Sequence, residues 1–237
     1  MVMGDTCTRG CKFCHVKTGM PEALDKLEPY KVAIAIKKMQ LDYVVITSVD
    51  RDELEDQGAN HFAQVILKIK EYCPNIKIEV LIPDFKAKSK LLDIIIEAKP
   101  EVIAHNIETT ELLTPKVRDI RAKYKQSLDV LEYIKTKSPK IISKTSIMLG
   151  LGETSSCLEK TFKDLANIKL DMLTLGQYLQ PSAKQLAVTK YYHPEEYVGI
   201  CEKAQAAGIK LAEGFPLMRS SYKANEYYKK LIMTTCN

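Results

Sequence analysis

An open, partial (β/α)6 barrel of the TIM type, carrying a C-terminal helical tail, is the α/β fold this sequence predicts. Three observations predict it. Short, β-rich apolar runs alternate with longer amphipathic stretches, a pair recurring roughly every 30–40 residues. The short runs are apolar throughout, as strands of a parallel sheet covered on both faces must be. Six such units account for the 237 residues, which is fewer than the eight of a closed barrel. In this architecture the reactive face lies at the C-terminal ends of the strands.

Met1-Val2-Met3-Gly4 reads as the last half of a buried first strand that feeds the loop after it. Folded domains seldom begin in mid-strand, so the natural chain is expected to continue upstream, and any targeting segment with it. After an irregular stretch over 15–29, Pro29 suits a first helical turn, and Val32, Ile36 and Met39 share one face of a helix to about residue 40. Residues 42–47 form the second strand and Ser48-Val-Asp-Arg-Asp-Glu-Leu a charged loop. Phe62, Val65, Ile66 and Ile69 mark one side of a helix over 59–72. The third strand covers 76–82 and stops at Pro83. A helix follows over 88–98, then a short fourth strand over 101–105. Residues 124–137 are helical. The fifth strand, 141–149, ends at Gly150-Leu-Gly152. A helix over 155–167 has Thr154 or Ser155 as its N-cap. The sixth strand, 171–175, ends at Gly176, and a helix over 194–207 closes at Gly208. Residues 209–218 are expected as a last short strand. Residues 1–218 make the core, and the basic, Tyr-rich tail 219–237 a helical extension.

Composition excludes several classes of function. The 46% apolar and 27% charged residues are those of a globular protein. A net charge of +5 is too small to argue for nucleic acid. No run of about 18 apolar residues is present, so neither a membrane nor a nucleic acid is expected as a partner. Seven cysteines are an odd count in a chain too long to need disulfide staples. Cys73, Cys157, Cys201 and Cys236 are scattered in or beside helical patterns and read as inert thiols.

The other three cysteines carry the chemistry. Asp5-Thr-Cys-Thr-Arg-Gly-Cys-Lys-Phe-Cys-His15 sets Cys7, Cys11 and Cys14 in a C-x3-C-x2-C spacing directly after the first strand. Thiolates this close on a loop grip a soft metal together. A structural zinc site takes four protein ligands, and a cuboidal iron–sulfur cluster takes one cysteine per iron. Three cysteines on a [4Fe–4S] cluster leave one iron open to a ligand that is not protein. The alternative is a zinc knuckle with His15 or a distant cysteine as its fourth ligand.

The spacing resembles the radical S-adenosylmethionine (SAM) signature. That resemblance implies SAM chelating the open iron and cleaved reductively to a 5′-deoxyadenosyl radical, in a reducing compartment. Further stretches narrow it: Gly4-Asp-Thr-Cys-Thr-Arg-Gly-Cys11, Val45-Ile-Thr-Ser-Val-Asp-Arg-Asp52, His105-Asn-Ile-Glu-Thr109, Lys144-Thr-Ser-Ile-Met-Leu-Gly-Leu-Gly-Glu153, Leu173-Thr-Leu-Gly-Gln-Tyr-Leu-Gln-Pro-Ser182 and Arg219-Ser-Ser-Tyr222. In order and spacing these resemble the lipoyl synthase family over nearly the whole chain. The resemblance implies sulfur insertion at C6 and C8 of an octanoyl chain amide-linked to a lysine. The carriers it implies are lipoyl domains of 2-oxoacid dehydrogenase complexes or the glycine-cleavage H protein, with ferredoxin or flavodoxin as electron donor. Saturated C–H bonds offer no acid and no leaving group, so a cofactor-borne radical must open them.

The family's sulfur comes from a second, auxiliary [4Fe–4S] cluster. Its ligands are an upstream C-x4-C-x5-C motif and the second serine of Arg-Ser-Ser-Tyr, here Ser221. The upstream motif is absent from this sequence, which implies either truncation or loss of sulfur insertion. The truncated form is expected to cleave SAM without making the dithiolane. Ala212-Glu-Gly-Phe-Pro-Leu-Met218 carries one residue more than the family pattern before Arg219, and Lys184-Gln185 stands where Arg-His is common. The wording of 144–153 and of the tail resembles organellar members, which implies a mitochondrial or plastid matrix in a eukaryote and the cytoplasm in a bacterium.

Other residues have two readings each. Asn106 and Glu108 hold the SAM ribose or methionyl amine, or cap their loop. Arg51 orients the SAM carboxylate, or pairs with its acidic neighbours. Gly150-Leu-Gly-Glu153 lets the backbone approach SAM, or turns the chain. Lys223, Lys229 and Lys230 face an acidic carrier domain, or solvent. Rival functions are a radical SAM enzyme of other specificity and a noncatalytic protein that binds a metal or a lipoyl domain.

Overall fold

The computed structural model describes residues 1–235, with side chains as far as Met233. Cys236 lies outside the described residues. Six parallel strands form one sheet in sequence order: β3 (Tyr43–Thr47), β4 (Lys77–Leu81), β5 (Val102–Ala104), β6 (Ile142–Leu149), β7 (Met172–Gln177) and β8 (Leu211–Phe215). Neighbours pair without a break in order, with Val45 opposite Glu79, Leu81 opposite Ala104, Ala104 opposite Lys144 and Leu173 opposite Ala212. Helices α1 (Glu28–Met39), α2 (Ala59–Tyr72), α3 (Ser89–Glu97), α5 (Tyr124–Lys137), α6 (Ser155–Asn167) and α7 (Pro194–Ala206) cover the outside. The expected open, partial barrel is the observed one.

The helices form where their apolar faces meet the sheet. Phe62, Val65, Ile66 and Ile69 of α2 pack with Ile78, Val80 and Ile103 in one core, while Leu158, Phe162 and Leu165 of α6 pack with Leu173 and Leu175 in a second. Thr154 caps α6 by accepting the Cys157 amide at 3.3 Å. α8 (Ala224–Thr235) lies across the end of the sheet, with Leu231 against Met172 and Leu211, and Tyr228 against Tyr43. Among the described residues no helix is long and apolar enough to cross a membrane.

Three expectations need correcting. The first strand is reduced to a single bridge, Val2 to Ser48. Met3 leaves the strand conformation with φ 66° and gives its amide to the Glu28 carboxylate at 2.9 Å rather than to a neighbouring strand. The sheet has its six strands because the expected last one forms, as β8. Next, β7 runs on through Gly176 to Gln177, and the Met218 backbone lies against Gly176 where a β-carbon would otherwise sit. Finally, two short pieces were not anticipated: the parallel pair β1 (Thr6–Cys7) and β2 (Lys17–Thr18), and one turn of helix, α4 (Thr114–Val117). They close and cover the cysteine loop.

Candidate active site

The cysteine loop is tied at its neck. Cys7 pairs with Thr18 in the β1–β2 ladder, the Gly19 amide donates to the Cys7 carbonyl at 3.0 Å, and the Thr18 hydroxyl donates to the Arg9 carbonyl at 3.2 Å. Cys7, Cys11 and Cys14 thereby line one cavity of about 190 Å³ at the C-terminal ends of the strands, with Phe13, Asp50, Asp84, His105, Asn106, Glu108 and Arg118. Each sulfur receives a backbone N–H: Arg9 to Cys7 at 3.4 Å, Val16 to Cys14 at 3.5 Å and Asp119 to Cys11 at 3.3 Å. Such donors stabilise negative charge on sulfur and tune an iron–sulfur cluster. Burial pushes the Cys7 thiol up and the Cys11 thiol up to about 11. Without a metal these sulfurs stay protonated at neutral pH, whereas a coordinated thiol is deprotonated outright.

Arg9, between the first two cysteines, is the loop's anchor. Its guanidinium meets Asp84 at 2.5 and 2.8 Å and Asp52 at 2.9 and 2.9 Å, a paired grip on two carboxylates at the ends of β4 and β3. Burial alone would raise the Asp84 carboxyl, but the Arg9 hydrogen bonds outweigh it and hold it at about 2. Asp50 fares differently. Burial pushes it up to about 6, Arg9 opposing and Asp84 and Asp52 adding to the rise.

The structure brings Asn106 and Glu108 to the cavity and leaves Arg51 out of it. Asn106 Nδ2 donates to Glu108 Oε1 at 3.1 Å, and burial raises the Glu108 carboxyl. Glu108 has φ 65° because its amide and carbonyl bridge Ser146 and Met148 of β6, which turns the loop after β5 back onto the sheet. Arg51 spends its guanidinium on the Met3 carbonyl at 2.9 Å, the Glu22 carbonyl at 2.7 Å and Glu53 at 2.6 Å. Only Glu53 is a sequence neighbour; the two carbonyls, 48 and 29 residues away, pin the chain on either side of the cysteine loop. His105 gives Nδ1–H to the Ile82 carbonyl and accepts from Ser127 at Nε2; burial lowers it to about 4, so it stays neutral.

A second cavity of about 260 Å³ adjoins the first and shares Phe13, Asn106 and Glu108 with it. Ser220 lines it, with its Oγ 3.3 Å from Asn106 Nδ2, whereas Ser221 is exposed and does not. The loop over 178–192 covers this side. Leu186 donates to the Lys12 carbonyl at 3.1 Å, and Gln185, from the Lys184-Gln185 pair, donates to the Cys14 carbonyl at 3.2 Å. The Gly150-Leu-Gly152 turn is closed by Glu153, which accepts the Gly150 and Leu151 amides at 2.6 and 2.9 Å. In the tail, Lys223 pairs with Glu226 at 3.3 Å, and Lys230 pairs with Glu213.

The profile of the radical SAM superfamily matches residues 1–165. A lipoyl synthase of Myxococcus xanthus is 51% identical over 98% of this chain and 78% of its own length. The chain belongs to the lipoyl synthase family. The mitochondrial lipoyl synthase of Schizosaccharomyces pombe is 51% identical over 96% of this chain, which spans 62% of that relative. Bacterial, archaeal and mitochondrial members of the family are all among its relatives. The fold is shared more widely: methylornithine synthase superposes over 99% of this chain and 80% of its own at a TM-score of 0.62, with 13% identity. The function expected from the sequence, a sulfurtransferase working by radical SAM chemistry, is the one these relatives bear out.

The donor set fits an iron–sulfur cluster: three thiols line one cavity, and each sulfur takes a backbone N–H. A four-iron cube takes each thiolate on a different iron. Sequence reasoning missed Arg9 and Arg118, and of the serine pair it singled out Ser221, whereas Ser220 is the one that lines the second cavity. The signal for Arg9 was present, as a cation between two closely spaced cysteines with acidic residues at the next two strand ends.

Proposed function

We propose that Cys7, Cys11 and Cys14 hold a [4Fe–4S] cluster whose open iron takes SAM, and that the chain serves insertion of sulfur at C6 and C8 of a carrier-bound octanoyl-lysine. The observation that carries this is the convergence of three sulfurs, each with its own backbone N–H donor, on one cavity at the strand ends. Cluster and SAM together supply the hydrogen-abstracting radical that C–H bonds of an alkyl chain demand. The protein's residues do the rest. Asn106 and Glu108 present an amide and a carboxylate between the two cavities, suited to the ribose or the methionyl amine. Phe13, Ile147, Met148, Leu179, Pro181 and Met218 give the second cavity an apolar wall suited to an acyl chain. Tyr178, Leu179 and Pro181 bring the 178–192 loop to the wall of the second cavity.

Ser221 is our candidate ligand to an auxiliary [4Fe–4S] cluster. It directly follows Ser220, which lines the second cavity, and it is itself exposed. A hard oxygen ligand is unusual on such a cluster. The partners we propose are octanoylated lipoyl domains or the H protein, and ferredoxin or flavodoxin as electron donor. A mitochondrial or a bacterial setting both accord with the relatives. The test is anaerobic reconstitution with iron and sulfide, reduction, and assay with SAM and an octanoyl-lysine peptide. 5′-Deoxyadenosine whose yield rises with the octanoyl peptide, and not with a lysine peptide lacking the acyl chain, is the expected result. Deoxyadenosine indifferent to the octanoyl chain would point to another substrate.

A further inference from the structure

A lysine and a glutamate are buried together inside the barrel. Lys144 on β6 and Glu79 on β4 are 1% and 2% exposed, and their side chains meet at 2.7 Å. Tyr43 on β3 donates its hydroxyl to the other Glu79 oxygen at 2.6 Å. Stability alone is a poor reason for such a pair. Its desolvation offsets its attraction, and apolar residues of the same volume commonly hold a fold as well or better. One contact has no apolar substitute: Lys144 Nζ also donates to the backbone carbonyl of Ser220 at 2.6 Å.

That carbonyl belongs to the corner joining β8 to α8, which stands over the second cavity. Two backbone contacts hold the start of this corner, and the rings of Phe215 and Tyr222 pack edge to face across it. Gln177 donates its amide to the Pro216 carbonyl at 3.2 Å, and the Met218 backbone rests on the bare face of Gly176. Neither backbone contact reaches past Met218. Beyond it, the interior lysine sets where Ser220 sits, and so where its hydroxyl meets Asn106 Nδ2 at 3.3 Å.

We propose that Lys144 is a positioning residue. Supported by Glu79 and Tyr43, it reaches through the barrel to fix the Arg219–Ser221 corner at the edge of the reactive cavity. This deepens the functional reading above and rests on it for the meaning of that corner. The test below measures no turnover, so it can fail while that reading stands.

The test compares Lys144→Met with a triple variant, Lys144→Met, Glu79→Leu and Tyr43→Phe, which replaces the whole polar chain by apolar residues of similar shape. Thermal melting reports the fold, and hydrogen exchange resolved by peptide reports the amides of residues 217–222. Lys144→Met leaves Glu79 buried and unpaired, so it melts well below the parent. The triple variant is expected to melt near the parent, yet to exchange at 217–222 about tenfold faster, the loss of one charge-assisted hydrogen bond. Parent-like exchange at 217–222 in the triple variant would overturn the proposal. A triple variant that does not fold would overturn it too, since the network would then be ordinary structural support.

Discussion

Arg9 and Asp84 meet in a buried, two-point hydrogen bond, 2.5 and 2.8 Å long, that fastens the cysteine loop to the end of β4. The contact is 75 residues long in sequence, so it fixes the loop to the barrel rather than to itself. Asp84→Asn removes the charge and leaves Arg9 with Asp52 and, at 3.3 Å, Asp50. Breaking a buried pair from one side costs about 3 kcal/mol. We expect a clear drop in the urea midpoint and less iron retained after desalting, measured on the reconstituted chain.

Asp50 makes the metal-free chain less stable as pH rises. Its folded pKa, about 6, lies above the ordinary 3.8, so between these values the folded protein binds a proton that the unfolded chain has released. Stability therefore falls with rising pH across that window. Asp84 acts oppositely and lower down: its contribution is full above 3.8 and is lost as pH falls toward about 2. Melting temperatures of the apo chain at pH 4 to 7 should decline through Asp50, and Asp50→Asn should flatten that slope.

Iron uptake should depend on pH in the other direction. The Cys11 thiol, pushed up to about 11 by burial, must lose its proton to bind iron, as must Cys7. Loading releases protons, so it strengthens as pH rises. Iron bound per chain at limiting iron should increase from pH 6.5 to 8.5; a flat profile would mean the thiols are already ionised.

Gly150 and Gln177 share a space that admits only one of them with a side chain. Gly150 has φ 103°, and a β-carbon there would collide with the Gln177 amide and the Lys190 carbonyl. That amide donates to the carbonyls of Leu149, Tyr178 and Lys190, at 3.0, 3.1 and 3.0 Å. Its oxygen accepts the Tyr192 amide at 3.0 Å. Gly150→Ala combines backbone strain with a broken knot, at roughly 3 kcal/mol. Thermal melting, with proteolysis of the 178–192 loop, checks it.

How far the sequence foretold this molecule depended on the range of the interactions. The helices, and strands such as 142–149 and 43–47, came from local periodicity, which is a property of the segment itself. The three cysteines were legible because their spacing is local. What escaped depends on distant partners. Val2 looked like a strand, but Glu28 takes the Met3 amide and ends it. Arg51 read either as a SAM contact or as a local ion pair, and neither reading foresaw the carbonyls of Met3 and Glu22 that it holds. The serine pair after Arg219 was recognised, yet only the fold tells which of the two faces Asn106, because that depends on Lys144 reaching across the barrel.

The most direct measurement of the central claim is made on the chain reconstituted anaerobically with iron and sulfide, then reduced in the presence of SAM. About four irons per chain, a spectrum of the reduced cluster that shifts when SAM is added, and 5′-deoxyadenosine that vanishes on changing any of Cys7, Cys11 or Cys14 to alanine are the predicted results. One tightly held zinc ion in place of iron, or deoxyadenosine formation that survives the loss of one of these cysteines, would contradict it.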